Sequence, residues 1–271
     1  MIRKSILWIS LTLLTGITLF PLYFMVASSF LKGCGVEEIF NPVIFWQHFT
    51  LGNYQDLWNS GPFSRYFLNS LIVAILVTLG NIFFASMVAY ALAWHTFPYR
   101  NSLMVLIFCS MMLPPQTLMF PTYKLMTFLG AMDTYLALIV PQIILPMNIF
   151  MMKQYFEKIP KEIALAAQLD GASSFRIFFS ILLPLSKPML AVLSVNTFMN
   201  SWNSFLYPFL FTRTQEMRTL PVGLAHYRGL YEVDTMQLMA GATFASLPVI
   251  LLFLFCQRWI LEGMLKGSVR G

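Results

Sequence analysis

Four polar side chains recur at helical spacing within one apolar segment in the second half of the chain. They are Asn196, Asn200, Asn203 and Tyr207. Their spacing of i, i+4, i+7 and i+11 predicts a polar stripe along one face of a helix. Amides and a phenol both donate and accept hydrogen bonds, so such a stripe can bind hydroxyl groups. The alternative is that the asparagines hydrogen-bond to neighbouring helices inside a membrane.

Aromatic residues repeat at the same spacing beside the polar stripe. They are Phe198, Trp202, Phe205 and Phe209. Because aromatic faces suit the apolar C–H faces of a sugar ring, the two stripes together favour an uncharged polyol or sugar as the bound molecule. The residues predicted to line a substrate pathway are Asn196, Asn200, Trp202, Asn203 and Tyr207.

Other kinds of chemistry find no support in the residue pattern. Cys34, Cys109 and Cys256 lie far apart, without a CxxC pair or a histidine at ligand spacing, so we expect no metal site. The Walker A pattern G-x-x-x-x-G-K-[ST] does not occur, so the chain does not bind ATP in that way. No clustered histidines, carboxylates or nucleophile indicate an enzyme, and we expect neither catalytic residues nor a cofactor in this chain.

Composition places the two stripes in a membrane protein. Of 271 residues 58% are hydrophobic and only 10% are charged, and the mean hydropathy of +0.71 is far too high for a soluble domain. A bilayer core needs about 20 apolar residues per helix, so this length allows roughly five to seven spans. The 17 Lys and Arg residues are scattered between the spans, which argues against a nucleic-acid surface.

Six segments without a single Asp, Glu, Lys or Arg predict an all-α integral membrane protein with six transmembrane helices. They cover residues 5–31, 66–94, 102–123, 134–152, 189–212 and 235–257. Pro114 and Pro115 interrupt the third segment, and Pro141 and Pro146 interrupt the fourth. Such prolines free backbone carbonyls, which favours a bundle with a pathway over a simple anchor. Since ion-driven transporters carry titratable residues within their spans, the energy for transport is expected to come from elsewhere. A self-contained secondary transporter or channel for an uncharged solute is the alternative.

The distribution of positive charge predicts the orientation. With both termini in the cytoplasm, eleven of the 17 basic residues fall on the cytoplasmic side, as the positive-inside rule favours. They are Arg3, Lys4, Arg100, Lys153, Lys158, Lys161, Arg176, Lys187, Arg258, Lys266 and Arg270. Residues 1–65 then hold the first span and an extracytoplasmic interfacial segment, residues 66–258 form the transmembrane domain, and residues 259–271 form a cytoplasmic basic tail.

A polar segment interrupts the spans at residues 161–188, within a predicted cytoplasmic loop at 155–188. Pro160 suits a first helical position and Gly171 suits a left-handed stop, which predicts one short helix between them. Ser173 or Ser174 then caps a second helix. A polar helix-turn-helix between membrane spans must serve something outside the bilayer, and we interpret it as a docking element.

Small residues mark one face of the first short helix. Ala164, Ala167 and Gly171 recur at i, i+3 and i+7, so this face has almost no side-chain bulk. Such a face can enter a groove on a partner protein. The alternative is that the small residues let the helix lie flat on its own neighbours. Spacing leaves both interpretations open.

The same loop resembles the cytoplasmic loop motif of membrane subunits in ATP-binding-cassette (ABC) importers. The resemblance rests on Ala166, Ala167 and Gly171, followed after nine residues by Ile181-Leu182-Leu183-Pro184. It implies a coupling helix that sits in a cleft of the ATPase subunit. The residues implied to couple are Glu162, Ala164, Leu165, Ala166, Ala167, Asp170, Gly171, Ile181 and Pro184. Where the family usually has Glu before the two alanines this chain has Leu165, and Glu162 is the acidic residue nearby.

A second set of motifs resembles the carbohydrate-uptake branch of these permeases, of the maltose and glycerol-phosphate type. The motifs are SWNSFLYP at 201–208, TLPVGL at 219–224, LMAGA at 238–242, LPV at 247–249 and GMLKGSVRG at 263–271. The resemblance implies the type I ABC importer permease fold in a bacterial or archaeal cytoplasmic membrane. It also implies a homologous second permease, two ABC ATPase subunits that use ATP and Mg, and an extracytoplasmic substrate-binding protein.

Overall fold

The computed structural model describes residues 2–59, 61–230 and 235–268, and over these residues the chain is almost entirely helical. The helices are α1 (Ile2–Ser29), α2 (Pro42–His48), α3 (Gly52–Asn59), α4 (Phe63–Trp94), α5 (Arg100–Met112), α6 (Pro115–Phe128), α7 (Tyr135–Ile139), α8 (Pro146–Phe156), α9 (Lys161–Leu169), α10 (Ser174–Ile177), α11 (Leu183–Leu185), α12 (Lys187–Trp202), α13 (Leu206–Phe211), α14 (Leu220–Leu230) and α15 (Thr235–Ser268). Short 3-10 turns cover Val36–Phe40, Val140–Gln142 and Gln215–Met217, and a π-helix covers Phe178–Leu182. The predicted all-α class is confirmed.

Three of the described helices are long and apolar enough to cross a membrane. They cover Lys4–Ser29, Phe63–Trp94 and Thr235–Glu262, and they correspond to the first, second and sixth predicted spans. Residues 259–268 of the predicted basic tail continue helix α15, and residues 269–271 lie outside the described part of the chain.

The third predicted span, residues 102–123, is broken at the two prolines that were predicted to interrupt it. It consists of α5 and α6, which meet at an angle of 101°. Pro115 is the first residue of α6, and Leu113 and Pro114 before it are extended. Because a residue that precedes proline avoids the helical region, two consecutive prolines force this break.

The fourth predicted span, residues 134–152, is also bent. Its two parts, Tyr135–Gln142 and Pro146–Phe156, meet at 44°. Pro141 lies in the 3-10 turn before the bend, and Pro146 begins α8 after it. The four prolines predicted to interrupt these spans therefore lie at the breaks, whereas Pro121 lies within α6.

The fifth predicted span, residues 189–212, is interrupted after Trp202. Helix α12 ends there, and α13 begins at Leu206. A continuous helix would drive the ring of Pro208 into the carbonyl of Ser204, four residues earlier, and this clash explains where the break falls. The other end of α12 meets the Ser174–Leu185 segment at 79°, so this bent pair is the alternative candidate for a fifth span.

The chain forms two compact units, and the first comprises residues 1–67 and 223–248. One of its clusters joins Ala27, Leu31, Ile39 and Met236. In another, the ring of Phe244 lies 5.6 Å from Trp58 and 5.1 Å from Phe67. Gly223 lies directly against the ring of Tyr66, which leaves no space for a Cβ atom. This contact gives the glycine of the TLPVGL motif a packing reason.

The second unit comprises residues 68–222 and 249–271. A network of charges near the ends of α4, α5 and α8 ties these helices together. Arg100 donates from Nε to the carbonyl of Leu92 at 2.7 Å, and its guanidinium lies 3.7 Å from Glu157. Glu157 also accepts a hydrogen bond from Lys153 at 2.7 Å. This network lies immediately before the polar segment that contains α9 and α10.

Candidate functional site

The polar segment folds into a sharply defined turn between two short helices. Helix α9 ends in a pair of closing bonds, from Gly171 N–H to Gln168 O at 3.0 Å and from Ala172 N–H to Ala167 O at 2.9 Å. Gly171 has a φ of +78°, which other residues rarely adopt. Ser173 Oγ then accepts a hydrogen bond from Arg176 N–H at 3.3 Å and caps α10. The predicted glycine stop and serine cap are both confirmed.

Two of the three small residues of α9, Ala164 and Ala167, point into the second unit itself, whereas Gly171 is exposed. Ala164 is only 2% exposed and lies in a core cluster with Phe156, Ile177, Phe178 and Leu182. Ala167 and Ile181 are partly buried against the same cluster. The expectation that Ala164 lies on an outward docking face is therefore wrong. Ala164 and Ala167 let the helix lie flat on its neighbours, which was the alternative interpretation.

The outward face of this segment carries large apolar side chains. Leu165 is 57% exposed, Leu169 is 91% exposed and Phe175, beyond the turn, is 68% exposed. We call these three residues the elbow surface. Large apolar side chains that stay exposed on a polar segment are typical of an interaction site. Sequence reasoning did not single out Leu169 and Phe175, although the i, i+4 pair of leucines opposite Ala164 was a usable signal.

We call the segment formed by α9, the turn and α10 the elbow. The remaining residues implied to couple also lie on its outside or, for Pro184, in α11 beyond it. They are Glu162, Ala166, Asp170, Gly171 and Pro184, and all are exposed. Glu162 precedes Leu165 by three residues and so shares its face of α9. An acidic group therefore lies beside the elbow surface even though the usual glutamate position is occupied by Leu165.

Helix α4 holds the elbow from the side. The hydroxyl of Tyr90 donates to the carbonyl of Ser174 at 3.3 Å, and its ring lies 5.3 Å from that of Phe178. A groove of about 220 Å³ opens beside this contact, between Met87 and Phe175. From Phe178 the chain continues through the π-helix into α12. The elbow is thus joined to α4 by packing and to α12 by the chain itself.

A buried hydrogen-bonded cluster joins α4, α8 and α12 in the second unit. The amide of Asn148 donates to Oδ1 of Asn81 at 2.6 Å and to Oγ1 of Thr197 at 2.8 Å. All three side chains are buried. Asparagines at such a position hold helices together. The sequence signal was an Asn within each of two apolar spans, Asn81 in the second and Asn148 in the fourth, but no regular spacing links the two.

The predicted polar stripe lies on the other side of α12. Asn196 and Asn200 are exposed, and the amide of Asn200 lies 3.4 Å from Oδ1 of Asn196. Asn203 is exposed but follows the end of the helix, and Tyr207 belongs to α13. The single stripe over all four residues is therefore wrong, because the helix breaks between its second and fourth members.

The aromatic stripe is divided by the same break. Phe198 and Trp202 stack with their ring centroids 5.7 Å apart and are both buried, Trp202 being only 4% exposed. The prediction that Trp202 lines an open pathway is wrong for this conformation, because its ring packs inside the chain. Phe205 and Phe209 form a separate stacked pair at 5.3 Å.

The break after α12 opens a groove with mixed chemistry. Its volume is about 290 Å³. It is lined by Pro115, Gln116, Met119, Ser204, Phe205, Leu206 and Tyr207. An amide, a hydroxyl, a phenol and an aromatic face thus meet in one place, and all but the hydroxyl are kinds of group that the two stripes were predicted to supply. Gln116 and Ser204 were missed because no sequence spacing connects them.

A carboxylate anchors the segment that follows α13. Asp133 has a φ of +60°, donates from its N–H to the carbonyl of Phe211 at 2.8 Å, and accepts at Oδ1 from the N–H groups of Arg213 and Thr214. Burial acts to raise the pKa of Asp133. The backbone hydrogen bonds, with the charge of Arg213, outweigh burial and lower it below its usual value. The end of α13 is therefore fixed beside the groove.

Comparisons with known proteins agree on one family. The model of the family described as "Binding-protein-dependent transport system inner membrane component" matches residues 81–266. The arabinooligosaccharides transport system permease protein AraQ of Bacillus subtilis is 35% identical over 98% of this chain and 97% of its own length. The sn-glycerol-3-phosphate transport system permease protein UgpE of Pectobacterium atrosepticum is 35% identical over 94% of each chain.

A solved structure shares the fold. It belongs to a bacterial ABC transporter involved in the import of the acidic polysaccharide alginate, and it matches with a TM-score of 0.83 at 22% identity. The match covers 95% of this chain and 96% of the other. Together with the family match over more than half of the sequence, these findings show that the chain belongs to the family of binding-protein-dependent transport system inner membrane components.

Proposed function

We propose that this chain is the permease subunit of an ABC importer for a sugar or a related polyol, and that a separate ATPase drives it through the elbow surface. Family membership implies partner ATPase subunits, which use ATP and Mg, and a substrate-binding protein. The proposal adds two ATPase subunits, a homologous second permease and delivery by the binding protein from the extracytoplasmic side.

The observation that carries the coupling proposal is the exposure of Leu165, Leu169 and Phe175. Apolar surface removed from water stabilises a complex by about 25 cal/mol per Å². In the isolated chain these three side chains remain in water. A partner that covers them removes this apolar surface from water, which stabilises the complex. The elbow is also stiff, because Ala164 anchors α9 in the core and the glycine stop fixes the turn.

The route from elbow to pathway runs through α12. Movement of the elbow is transmitted by the π-helix at Phe178–Leu182 and by the 79° bend into α12, which carries Asn196 and Asn200. π-Helical turns are frequent at functional positions, and this one lies between the elbow and α12. We infer that ATPase closure tilts α12 and thereby changes access to the pathway.

Two features support a sugar or polyol as the substrate. Asn196 and Asn200 expose amides on a membrane helix, and the groove at Gln116, Ser204 and Tyr207 combines hydroxyl-binding groups with an aromatic face. The relatives are named as permeases for arabinooligosaccharides and for glycerol 3-phosphate. We therefore keep Asn196, Asn200, Asn203 and Tyr207 as pathway residues and assign Trp202 to the packing behind them.

The proposal includes the orientation of the chain in the membrane. Both termini and the elbow lie in the cytoplasm, as the excess of basic residues on that side supports. Of those residues, the side chains of Arg3 and Lys266 and the whole of Arg270 lie outside the described part of the chain.

Reconstitution tests the proposed function directly. The complex with its ATPase, second permease and binding protein is placed in liposomes, and uptake of radiolabelled oligosaccharide is measured with ATP inside the vesicles. We expect uptake that requires ATP, the ATPase and the binding protein. Uptake by liposomes that contain permeases without ATPase would instead support the self-contained transporter or channel.

A further inference from the structure

The segment between α1 and α3 brings together three side chains that are distant in sequence. Leu31 and Phe49 form an antiparallel bridge, and Thr50 N–H donates to Phe30 O at 2.7 Å. Gly33, with a φ of +78°, turns the chain immediately after this bridge. The residues on either side of the bridge, Cys34 after the turn and His48 at the end of α2, are thereby held close in space.

Glu38 completes the group from the 3-10 turn Val36–Phe40. The Cys34 sulfur, a carboxylate oxygen of Glu38 and a ring nitrogen of His48 all lie within 4.8 Å of one another, and each residue is half-buried. Ligands of a tetrahedral zinc ion lie about 3.5 Å apart, given metal–ligand bonds of about 2.0–2.3 Å. Rotamer adjustments of about 1 Å therefore suffice to bring the three atoms onto one ion.

The hydrogen bond made by His48 selects the nitrogen that a metal needs. Its Nδ1 lies 3.1 Å from the carbonyl oxygen of Ile44. A carbonyl oxygen only accepts, so Nδ1 carries the proton and the lone pair is on Nε2. A backbone carbonyl in this role is the usual outer partner of a metal-bound histidine, where it fixes both tautomer and ring orientation.

We propose that Cys34, Glu38 and His48 bind a zinc ion. A thiolate, an imidazole and a carboxylate together suit zinc among the abundant divalent metals, whereas calcium and magnesium prefer oxygen ligands throughout. Three protein ligands leave the fourth position for water or for a group from a partner. The ion cross-links the turn after α1 to the end of α2, and the inference stands independently of the transport function.

This proposal departs from the expectation, drawn from the sequence, that the chain has no metal site. The ligands follow the spacing C-x₃-E-x₉-H, which matches no common zinc pattern. Only the bridge at Leu31 and the turn at Gly33 bring His48 back to Cys34. The packing of Cys34 against the cluster that contains Leu31 and Ile39 fixes the sulfur near the other two ligands.

The test uses the purified full chain in detergent, titrated with zinc chloride in competition with a chromogenic chelator. We expect about one zinc ion per chain, and an affinity that falls more than about 100-fold in Cys34→Ser and His48→Gln, since even outer partners of a site contribute 10–100-fold. Glu38→Gln is expected to weaken binding as well. Cys109→Ser and His95→Gln alter an exposed thiol and an exposed imidazole elsewhere and serve as matched controls. Binding well below one ion per chain, or unchanged affinity in Cys34→Ser, would overturn the proposal.

Cobalt substitution provides a readout that does not depend on the recovery of each variant. In the Cys109→Ser background, Co²⁺ is expected to produce a thiolate-to-cobalt charge-transfer band together with the intense visible bands of tetrahedral coordination. Size-exclusion profiles check that each variant is monodisperse. A cobalt spectrum of octahedral type without a charge-transfer band contradicts a site that includes the Cys34 thiolate.

Discussion

The elbow and helix α12 are adjacent in the chain, yet they expose opposite kinds of side chain. The elbow buries Ala164 and exposes Leu165 and Leu169, although it lies in a segment rich in charge. Helix α12 buries Thr197 in a hydrogen-bonded cluster and exposes Asn196 and Asn200, although it lies in an apolar span. The elbow therefore exposes apolar side chains on a polar segment, and α12 exposes polar side chains on an apolar segment.

Under the proposed function, both exposed faces are covered in the assembled transporter. Water disfavours the leucines of the elbow, so a protein partner is the fitting cover there. Lipid disfavours the amides of Asn196 and Asn200, so a wet pathway or a second permease is the fitting cover there. The buried faces hold the structure together, and the exposed faces are the candidates for function.

The largest effect is expected from a charge on the elbow surface. Leu169→Glu should lower ATP-dependent uptake at least about 100-fold, because an unpaired carboxylate buried at an interface costs several kcal/mol and about 1.4 kcal/mol is a tenfold change. Co-purification of the ATPase, measured on gels, should fall with it. Leu129→Glu, at a residue that is 61% exposed outside the elbow, is the control and should keep the ATPase bound. If both variants lost ATP-dependent uptake and ATPase binding to the same extent, the elbow surface would not differ from the rest of the exposed surface.

A second change separates the two faces of α9. Ala164→Leu inserts bulk into the cluster around Phe156 and Phe178 and should destabilise the protein by about 1–3 kcal/mol. Ala166→Leu, on the exposed side of the same helix, should leave stability nearly unchanged. Thermal unfolding in detergent measures both. If Ala166→Leu proved the more damaging variant in the isolated chain, the inward direction of the small face would be refuted.

A third pair of variants distinguishes the buried polar cluster beside α12 from the exposed asparagines of that helix. Asn148→Leu removes both bonds of the buried cluster and should cost about 0.6–1.7 kcal/mol per hydrogen bond, measured by the shift in unfolding temperature. Asn200→Ala should leave stability unchanged but alter the concentration dependence of sugar uptake. Unaltered uptake kinetics in Asn200→Ala, with normal assembly, would make Asn200 a packing residue.

The smallest effect concerns the anchor beside the groove. The folded-state pKa of Asp133 lies below its usual value of 3.8, so its carboxylate stabilises the protein above that pH. This stabilisation should vanish as the pH falls through the lower folded-state pKa. Unfolding temperatures of the wild type and Asp133→Asn should therefore differ at neutral pH and converge in acid. A difference that grows as the pH falls would contradict the hydrogen bonds to Arg213 and Thr214.

Local signals in the sequence were sufficient to predict the elbow, because a glycine stop and a serine cap depend only on neighbouring residues. The side of α9 that faces the core was not predictable, since the spacing of Ala164 and Ala167 defines a face without saying what it contacts. Leu169 escaped notice for the same reason. A periodic pattern shows which residues lie together, and only packing shows what lies opposite them.

Features formed by breaks and turns were harder to predict. Pro208 was the sequence signal for the interruption after Trp202. Hydropathy alone does not detect this break, because the residues on both sides of Pro208 are apolar. The groove at Gln116 and the cluster of Cys34 with His48 both depend on chain reversals that bring distant segments together. A chain reversal leaves no regular spacing in the sequence. These neighbouring residues can therefore be identified only from the structure.

The most direct test of the central claim is the accessibility of the elbow surface. Leu169→Cys, in a background that lacks the three native cysteines, is treated with a membrane-impermeant maleimide in right-side-out and in inside-out vesicles. The account predicts labelling only in inside-out vesicles stripped of the ATPase, and protection when the ATPase is added back. Labelling in right-side-out vesicles, or no protection by the ATPase, would contradict the claim that a cytoplasmic ATPase drives this permease through its elbow.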